Sequence, residues 1–285
     1  MHDVNYKIGD SRQILPTLAS GSFHLVITSP PYWNAKDYGT DQIGFGQSYQ
    51  DYVANLNDIW KECVRLLVPN GKIAIDIQPL PASSVDTGKD RSSIVDIMRD
   101  VANFMLGEKM DLSNIFIWDK RKYNNQRIFG SYPYPPNLYS HISFEYIYVF
   151  RKHGESRRIS QDIKAKSKIT QKEWEKWCFN SIWDIPPVIK VGSEGELTGH
   201  IAPFPLEIPR RLIRLFSFVG DNVLDPFVGS GTTLAACKLE QRRGLGIEIQ
   251  PSYEPLIQLY MRNPHSPPSM SQVEEMKINR SIEEF

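Results

Sequence analysis

Cysteine is scarce in this chain: only Cys63, Cys178 and Cys237 occur, and they are far apart. An odd, widely spaced set fits neither a disulfide framework nor a zinc pattern, so reduced thiols and a cytoplasmic location are expected. No apolar run approaches the roughly 18 to 20 residues that cross a bilayer, so no membrane partner is expected. The segment Met1-His2-Asp3-Val4 lacks the basic-then-apolar order of a secretory signal. Net charge is absent as well, because 33 Lys plus Arg balance 33 Asp plus Glu. A polyanionic partner must therefore be met by a local patch. There is no internal repeat. Two phosphate signatures are also missing, the Gly-Lys-Ser/Thr ending of a Walker loop and the Gly-x-Gly-x-x-Gly of dinucleotide binders. What is present is an ordinary globular composition, 41% hydrophobic and 23% charged over 285 residues. That length buries a sizeable core, as one large domain or a domain with an insertion.

Hydrophobic patterning reads as α/β alternation. Strands are expected at Tyr6–Ile8, Phe23–Ile27, Lys72–Ile77, Asn114–Trp118, Ser143–Phe150, Asp221–Asp225 and Arg243–Ile249, and helices at 11–18, 49–67, 92–106, 207–216 and 234–239. Such alternation predicts a doubly wound, mostly parallel sheet. Residues 34–48 have the composition of a mobile loop over a site, and Pro69-Asn70-Gly71 breaks a helix. Between Arg151 and Lys190, ten basic residues face five acidic ones, with Trp174, Trp177 and Trp183 interleaved. A solvated helical face explains some of this, but the asymmetry and the aromatics favour a nucleic-acid contact, with Arg157, Arg158, Lys164 and Lys168 as candidates. The tail after Tyr260 is rich in Pro, Ser and Glu; poor order is expected from Asn263 to about Gln272, with a short helix as a candidate at the end.

Thr28-Ser29-Pro30-Pro31-Tyr32-Trp33 closes the apolar run of the second strand. Two prolines lack backbone N–H groups, so the chain leaves the sheet in a stiff loop at the strand's carboxyl end, where open α/β sheets bind ligands. The loop offers the Ser29 hydroxyl, free carbonyls, and the aromatic rings of Tyr32 and Trp33. That set suits a flat group carrying an NH2, although a rigid strand exit explains Pro-Pro-Tyr equally well by itself.

A second constellation narrows the choice. Asp225-Pro226-Phe227-Val228-Gly229-Ser230-Gly231-Thr232-Thr233 joins a strand to a helix. Gly229 and Gly231 allow close backbone approach, and the helix start favours a carboxylate or phosphate. Asp225 is placed to hold an ammonium and Glu248 to accept ribose hydroxyls. Carboxylate, ammonium and ribose together describe S-adenosylmethionine better than a nucleotide.

Taken in order, these stretches resemble the amino-group DNA methyltransferases. The resemblance rests on Thr28 to Trp33, His200-Ile201-Ala202-Pro203-Phe204-Pro205, Asp225 to Thr233 and Gly246-Ile247-Glu248-Ile249, with weaker matches at Gly9-Asp10 and Phe144 to Lys152. Because the catalytic loop precedes the cofactor loop, the chain resembles the circularly permuted beta group. Protein-glutamine methyltransferases share an Asn-Pro-Pro-Tyr loop in the opposite order. Cytosine C5 methylation needs a cysteine, characteristically after proline, and none of the three follows one.

The resemblance implies a Rossmann-like methyltransferase fold, S-adenosylmethionine as cofactor and double-stranded DNA as substrate. It places Asp10, Thr28, His200, Phe204, Asp225, Phe227, Gly229, Ser230, Gly231, Thr232 and Glu248 around the cofactor. His200-Ile201 departs from the family's frequent His-Pro. Ser29, Pro30 and Tyr32 would carry catalysis, with Pro31 and Trp33 near an extruded base. Ser at the first loop position is more typical of cytosine-N4 than adenine-N6 enzymes. The expected activity is thus N4 methylation of cytosine in a restriction-modification system, with adenine N6, an RNA methyltransferase and an inactive binding module as alternatives. The expected division is a catalytic part at 1–150 (81–140 a second candidate for recognition), a basic target-recognition segment at 151–192, a cofactor part at 193–262 and a tail. Expected partners are DNA and a cognate endonuclease acting on the same site without direct contact. The enzyme would be a monomer or homodimer.

Overall fold

The structure, a computed structural model, describes residues 3–34, 42–88, 90–123, 129–130, 132–136, 138–188 and 205–265. Its main sheet has eight strands: β1 (Val4–Ile8), β2 (Phe23–Thr28), β3 (Leu67–Ile77), β4 (Met110–Asp119), β5 (Phe144–Lys152), β6 (Ile182–Asp184), β7 (Asn222–Asp225) and β8 (Arg243–Glu248). In space their order is β1-β8-β7-β2-β3-β5-β4-β6, and all but β5 run in one direction. β2 and β3 read as near-continuous apolar runs because helices cover both faces of the sheet.

On one face lie α1 (Tyr49–Leu66) and α2 (Ile97–Gly107). Ser48 starts α1 by accepting the Asp51 N–H, and Tyr52, Leu56, Ile59, Trp60 and Cys63 form its buried stripe at three- and four-residue spacing. That stripe meets Val26, Ile73 and Ile75. On the other face α4 (Glu207–Phe216) and α5 (Thr232–Leu239) bring Ile208, Leu212 and Cys237 against Leu25, Ile27 and Ala74. The short helix α3 (Gln161–Lys166) precedes them in the chain, and α6 (Glu254–Arg262) packs Ile257 with Leu234 of α5.

The connection through α1 carries the chain from β2 outward to β3, and α5 carries it from β7 the opposite way to β8. The strand order therefore reverses between β7 and β2, which pair through Val223–Leu25 and Leu224–Val26. Such a switch point opens a crevice at the carboxyl ends of the strands.

Two expectations need correction. β3 runs through Pro69-Asn70-Gly71, because Asn70 adopts φ 60° and the ladder shifts register between Phe23 and Leu25. The helix expected over 92–106 begins at Ile97 with Asp96 as its cap, since Ser93–Val95 is taken up by a small hairpin with Leu80–Ala82. The described part of the stretch 151–192 is built into the edge of the main sheet. β6 extends the main sheet beside β4, and Trp177 and Trp183 are buried. Trp183 stacks on Phe116 at 4.4 Å and donates its indole N–H to the Trp177 carbonyl at 3.0 Å. The Arg211 guanidinium lies over both indoles. Those aromatics alternate with charge because they cap an edge of the core; Trp174 alone of the three is exposed. The tail expectation lies, from residue 266 onward, outside the described residues.

Candidate active site

The two loops at the switch point, distant in sequence, share one cavity of about 180 Å³. Ser29, Pro30, Pro31 and Tyr32 line it from the end of β2, and Phe227, Gly229, Ser230 and Thr232 from the end of β7. Asp10 and Glu248 close it from β1 and β8. Ser11 ties the walls together, its hydroxyl donating to the Pro226 carbonyl at 2.6 Å.

Local chemistry explains each placement. Asp10 caps the helical turn Ser11–Ile14 by accepting the Arg12 N–H at 2.8 Å, and it pairs with the Arg12 guanidinium at 2.7 Å. Glu248 ends β8 with each oxygen accepting one backbone N–H, from Gln250 and Gly229, both at 2.9 Å. Burial pushes its carboxyl up, and those N–H groups work against the shift. A carboxylate has about four acceptor sites, so capacity is left for a vicinal diol. Phe227 adds an apolar wall, and Thr232 opens α5 behind the left-handed Gly231. A sugar acceptor, an apolar plate and a helix start are the donor and acceptor set that S-adenosylmethionine requires.

Several candidates sit elsewhere. Asp225 does not line the cavity. Its oxygens accept from the Phe227 N–H at 3.0 Å and the Thr233 hydroxyl at 2.6 Å, so it shapes the turn from beneath. Burial pushes its carboxyl up to about 6. Thr28 is fully buried beside that carboxyl. Gly231 turns at φ 91°, and a Cβ there would meet the Ile257 backbone at 3.2 Å, so the close approach is to α6 rather than to a ligand. Trp33 presents no face to the cavity. It is 3% exposed, donates to the Gln47 carbonyl at 2.9 Å and packs edge-on against Tyr49. The indole anchors the loop's exit to α1, which corrects its expected role near the base.

Arg157, Arg158, Lys164 and Lys168 lie away from the cofactor cavity. The first three line a separate cavity with His24 and Lys72, at the edge where β2 and β3 begin. His24 and Ser29 lie five residues apart on one strand, so this edge is about 16 Å from the catalytic loop. Arg157 is committed to an ion pair with Asp221 and lies over the Phe218 ring. Lys168 follows α3, whose neighbour Ser167 accepts the Val219 N–H at the same edge. His200 and Phe204 lie outside the described residues.

Three charged groups by the catalytic loop escaped the sequence reading. Glu145, at the start of β5, accepts the Tyr32 hydroxyl and the Lys120 ammonium. Asp76, near the end of β3, is 3% exposed. The available signal was a lone carboxylate in each of two strongly apolar strands, Ile73-Ala74-Ile75-Asp76-Ile77 and Phe144-Glu145-Tyr146-Ile147.

The fold and the cavity together define an S-adenosylmethionine-dependent methyltransferase. Comparison with known proteins carries this further. The sequence profile of the N6_N4_Mtase family, described as DNA methylase, matches residues 23–259. Type II methyltransferase M.MjaI of Methanocaldococcus jannaschii is 32% identical over 289 residues, covering 90% of each chain. M.BglI of Bacillus subtilis is 28% identical, covering 90% of this chain and 84% of its own. A Thermus thermophilus protein assigned as a DNA modification methylase and solved with S-adenosyl-L-methionine superposes with a TM-score of 0.71. It is 32% identical and covers 92% of this chain and 97% of its own. The cytosine-N4-specific PvuII DNA methyltransferase shares the fold, with a TM-score of 0.63 at 20% identity over 96% of this chain and 92% of its own. The chain belongs to the N6/N4 DNA methylase family: it is a DNA methyltransferase that uses S-adenosylmethionine.

Proposed function

We propose that this enzyme methylates the exocyclic N4 of cytosine within a short sequence of duplex DNA, as the modification partner of a Type II endonuclease that acts on the same site. Ser29 at the head of the Ser-Pro-Pro-Tyr loop carries this reading. It is a neutral acceptor at the mouth of the cofactor cavity, where adenine-directed relatives of the resemblance more typically hold Asp. An intracellular setting follows from that role. No helix among the described residues is long and apolar enough to cross a membrane.

The target nitrogen is a weak nucleophile because its lone pair is delocalised into the ring. The Ser29 oxygen and the Pro30 carbonyl accept its two N–H hydrogens and draw it toward tetrahedral geometry. Tyr32 offers its ring to the extruded base, since the reacting atom is unreachable within a duplex. S-adenosylmethionine, held by Phe227, Gly229, Thr232 and Glu248, supplies an electrophilic methyl group. The chain's own contribution is positioning and electrostatics in a largely enclosed site.

Base recognition is assigned to residues 120–140. The Lys120–Tyr123 turn leaves β4 at the catalytic edge, and Tyr132 and Tyr134 are 66% and 73% exposed in the following segment. The 151–168 stretch is assigned no base contact, because it lies at the opposite edge. The test is nucleoside analysis of DNA methylated by the purified enzyme, with N4-methylcytosine expected. Recovery of N6-methyladenine alone would refute the cytosine assignment, and preference for RNA in competition would refute the DNA one.

A further inference from the structure

Behind the catalytic loop, on the face away from α1, lies a buried charge cluster that the cofactor cavity does not use. Glu145 reaches this edge because β5 is antiparallel, so its start lies where β2 and β3 end. Glu145 is 6% exposed and fully engaged: Lys120 Nζ donates to Oε1 at 2.5 Å and the Tyr32 hydroxyl donates to Oε2. Lys120 is itself held by Gln78 Oε1 at 3.2 Å and by the Trp118 ring. Asp76 pairs with Ile147 in the ladder, two residues along β5 from Glu145, and neither of its oxygens has a hydrogen-bond partner among the described residues. Burial, reinforced by the Glu145 charge, pushes the Asp76 carboxyl well up. Tyr32, Asp76 and Lys120 are thus the titratable groups that face Glu145, from the loop after β2, from β3 and from the turn after β4.

The direction of these hydrogen bonds matters. Tyr32 has one proton, and it goes to Glu145, so toward Ser29, which lines the same cavity three residues earlier in the loop, the phenol oxygen is available only as an acceptor. A Ser29 hydroxyl that gives its proton to Tyr32 keeps its lone pairs for the cavity. An incoming amine meets an acceptor rather than a competing donor.

The geometry points to a proton relay in which Ser29, Tyr32 and Glu145 remove the proton that the exocyclic amine releases on methylation. The N–H bond breaks as an O–H bond forms on Ser29, the Ser29 proton passes to Tyr32, and the Tyr32 proton passes to Glu145 Oε2. Only Glu145 gains a proton, and Tyr32 is at no stage a phenolate. That suits a phenol whose burial and carboxylate neighbours oppose ionisation. Glu145 and Lys120 are positioning residues that act through Tyr32. The inference rests on Ser29 as the amine acceptor and holds for either target base.

The test is single-turnover transfer from tritiated S-adenosylmethionine to unmethylated mixed-sequence phage DNA across pH, for the wild type, Tyr32→Phe, Glu145→Gln and Glu145→Asp. Cofactor and DNA affinities are measured in parallel. Loss of a general base costs about 100-fold or more, so Y32F and E145Q should lose about 100-fold in rate with both affinities within about threefold. The wild type should show an acid limb that E145Q lacks, and E145D should recover part of the rate. An E145Q rate equal to wild type, an acid limb that survives in it, or a rate loss matched by lost cofactor affinity would each overturn the relay. Nucleosides from the same reactions report the base, so a failed cytosine assignment appears as N6-methyladenine and leaves the relay untouched.

Discussion

Replacing Asp225 with Asn should stabilise the protein, and do so only where the wild-type carboxyl is ionised. Asp225 is 1% exposed, and burial raises its carboxyl from 3.8 to about 6, despite hydrogen bonds from Phe227 and Thr233. Between those values the folded chain holds a proton that the unfolded chain has lost. The stability from this group is therefore complete below pH 3.8 and is lost as pH rises through about 6. A displacement of that size is worth about 3 kcal/mol. Asn keeps an oxygen for the Phe227 N–H and turns an amide N–H toward the Thr233 hydroxyl, so the variant forgoes about 1 kcal/mol of bonding to a charged group. The net gain at pH 8 is then about 2 kcal/mol. The absolute gain includes that hydrogen-bond cost, but its change with pH does not. From pH 5 to pH 8 the advantage of D225N should grow by about 1.4 kcal/mol, because the wild type still retains part of the protonation benefit at the lower value. Urea unfolding at both pH values measures it, as a growing difference of roughly half a molar in midpoint. An advantage that is flat or shrinks with rising pH would refute an ionised, desolvated Asp225.

Two further substitutions probe the cavity and the far edge. A Cβ on Gly246 would lie 2.7, 2.8 and 2.9 Å from three carbons of Val228, which lines the cofactor cavity. G246A should therefore cost about 1–3 kcal/mol and weaken cofactor binding, and adding V228A should restore only part of both in thermal melts and equilibrium dialysis, because the Cβ at position 228 remains. Arg158→Ala with Lys164→Ala should change the KM for DNA less than about twofold, because both side chains lie at the sheet edge opposite the catalytic loop. A tenfold rise would return that edge to the DNA interface.

The architecture was legible because its signals are local. Phe23–Ile27 and Lys72–Ile77 read as strands and lie within β2 and β3, and α4 covers the expected span Glu207–Phe216. The two loops of the site were legible for the same reason: prolines and glycines state their backbone demands over a few residues. What stayed hidden depends on pairing across the sheet. Nothing near Trp183 in sequence reveals that β6 will lie beside β4, so a core indole passed for a nucleic-acid contact. Trp33 sits next to a cavity residue, yet its neighbour Tyr49 lies on another element. Arg157 looked free until Asp221 folded against it. Glu145 becomes intelligible only once β5 is known to run backwards.

The outermost strand has a consequence for how the enzyme comes into being. β1 holds residues Val4–Ile8, yet its ladder partner is β8, beginning with Val4 against Gly244. Asp10 and Glu248 thus come from opposite ends of the described chain, and the catalytic loop meets its cofactor turn only when β7 has docked on β2. On the ribosome, β1 waits for β8 to emerge before it has its ladder partner. Assembly dominated by such late, long-range pairing is slow, and the waiting strand edge is exposed to misassociation. A newborn chain is therefore inert toward the genome until β7 and β8 have been made, and one terminated before them carries the catalytic loop without the means to use it.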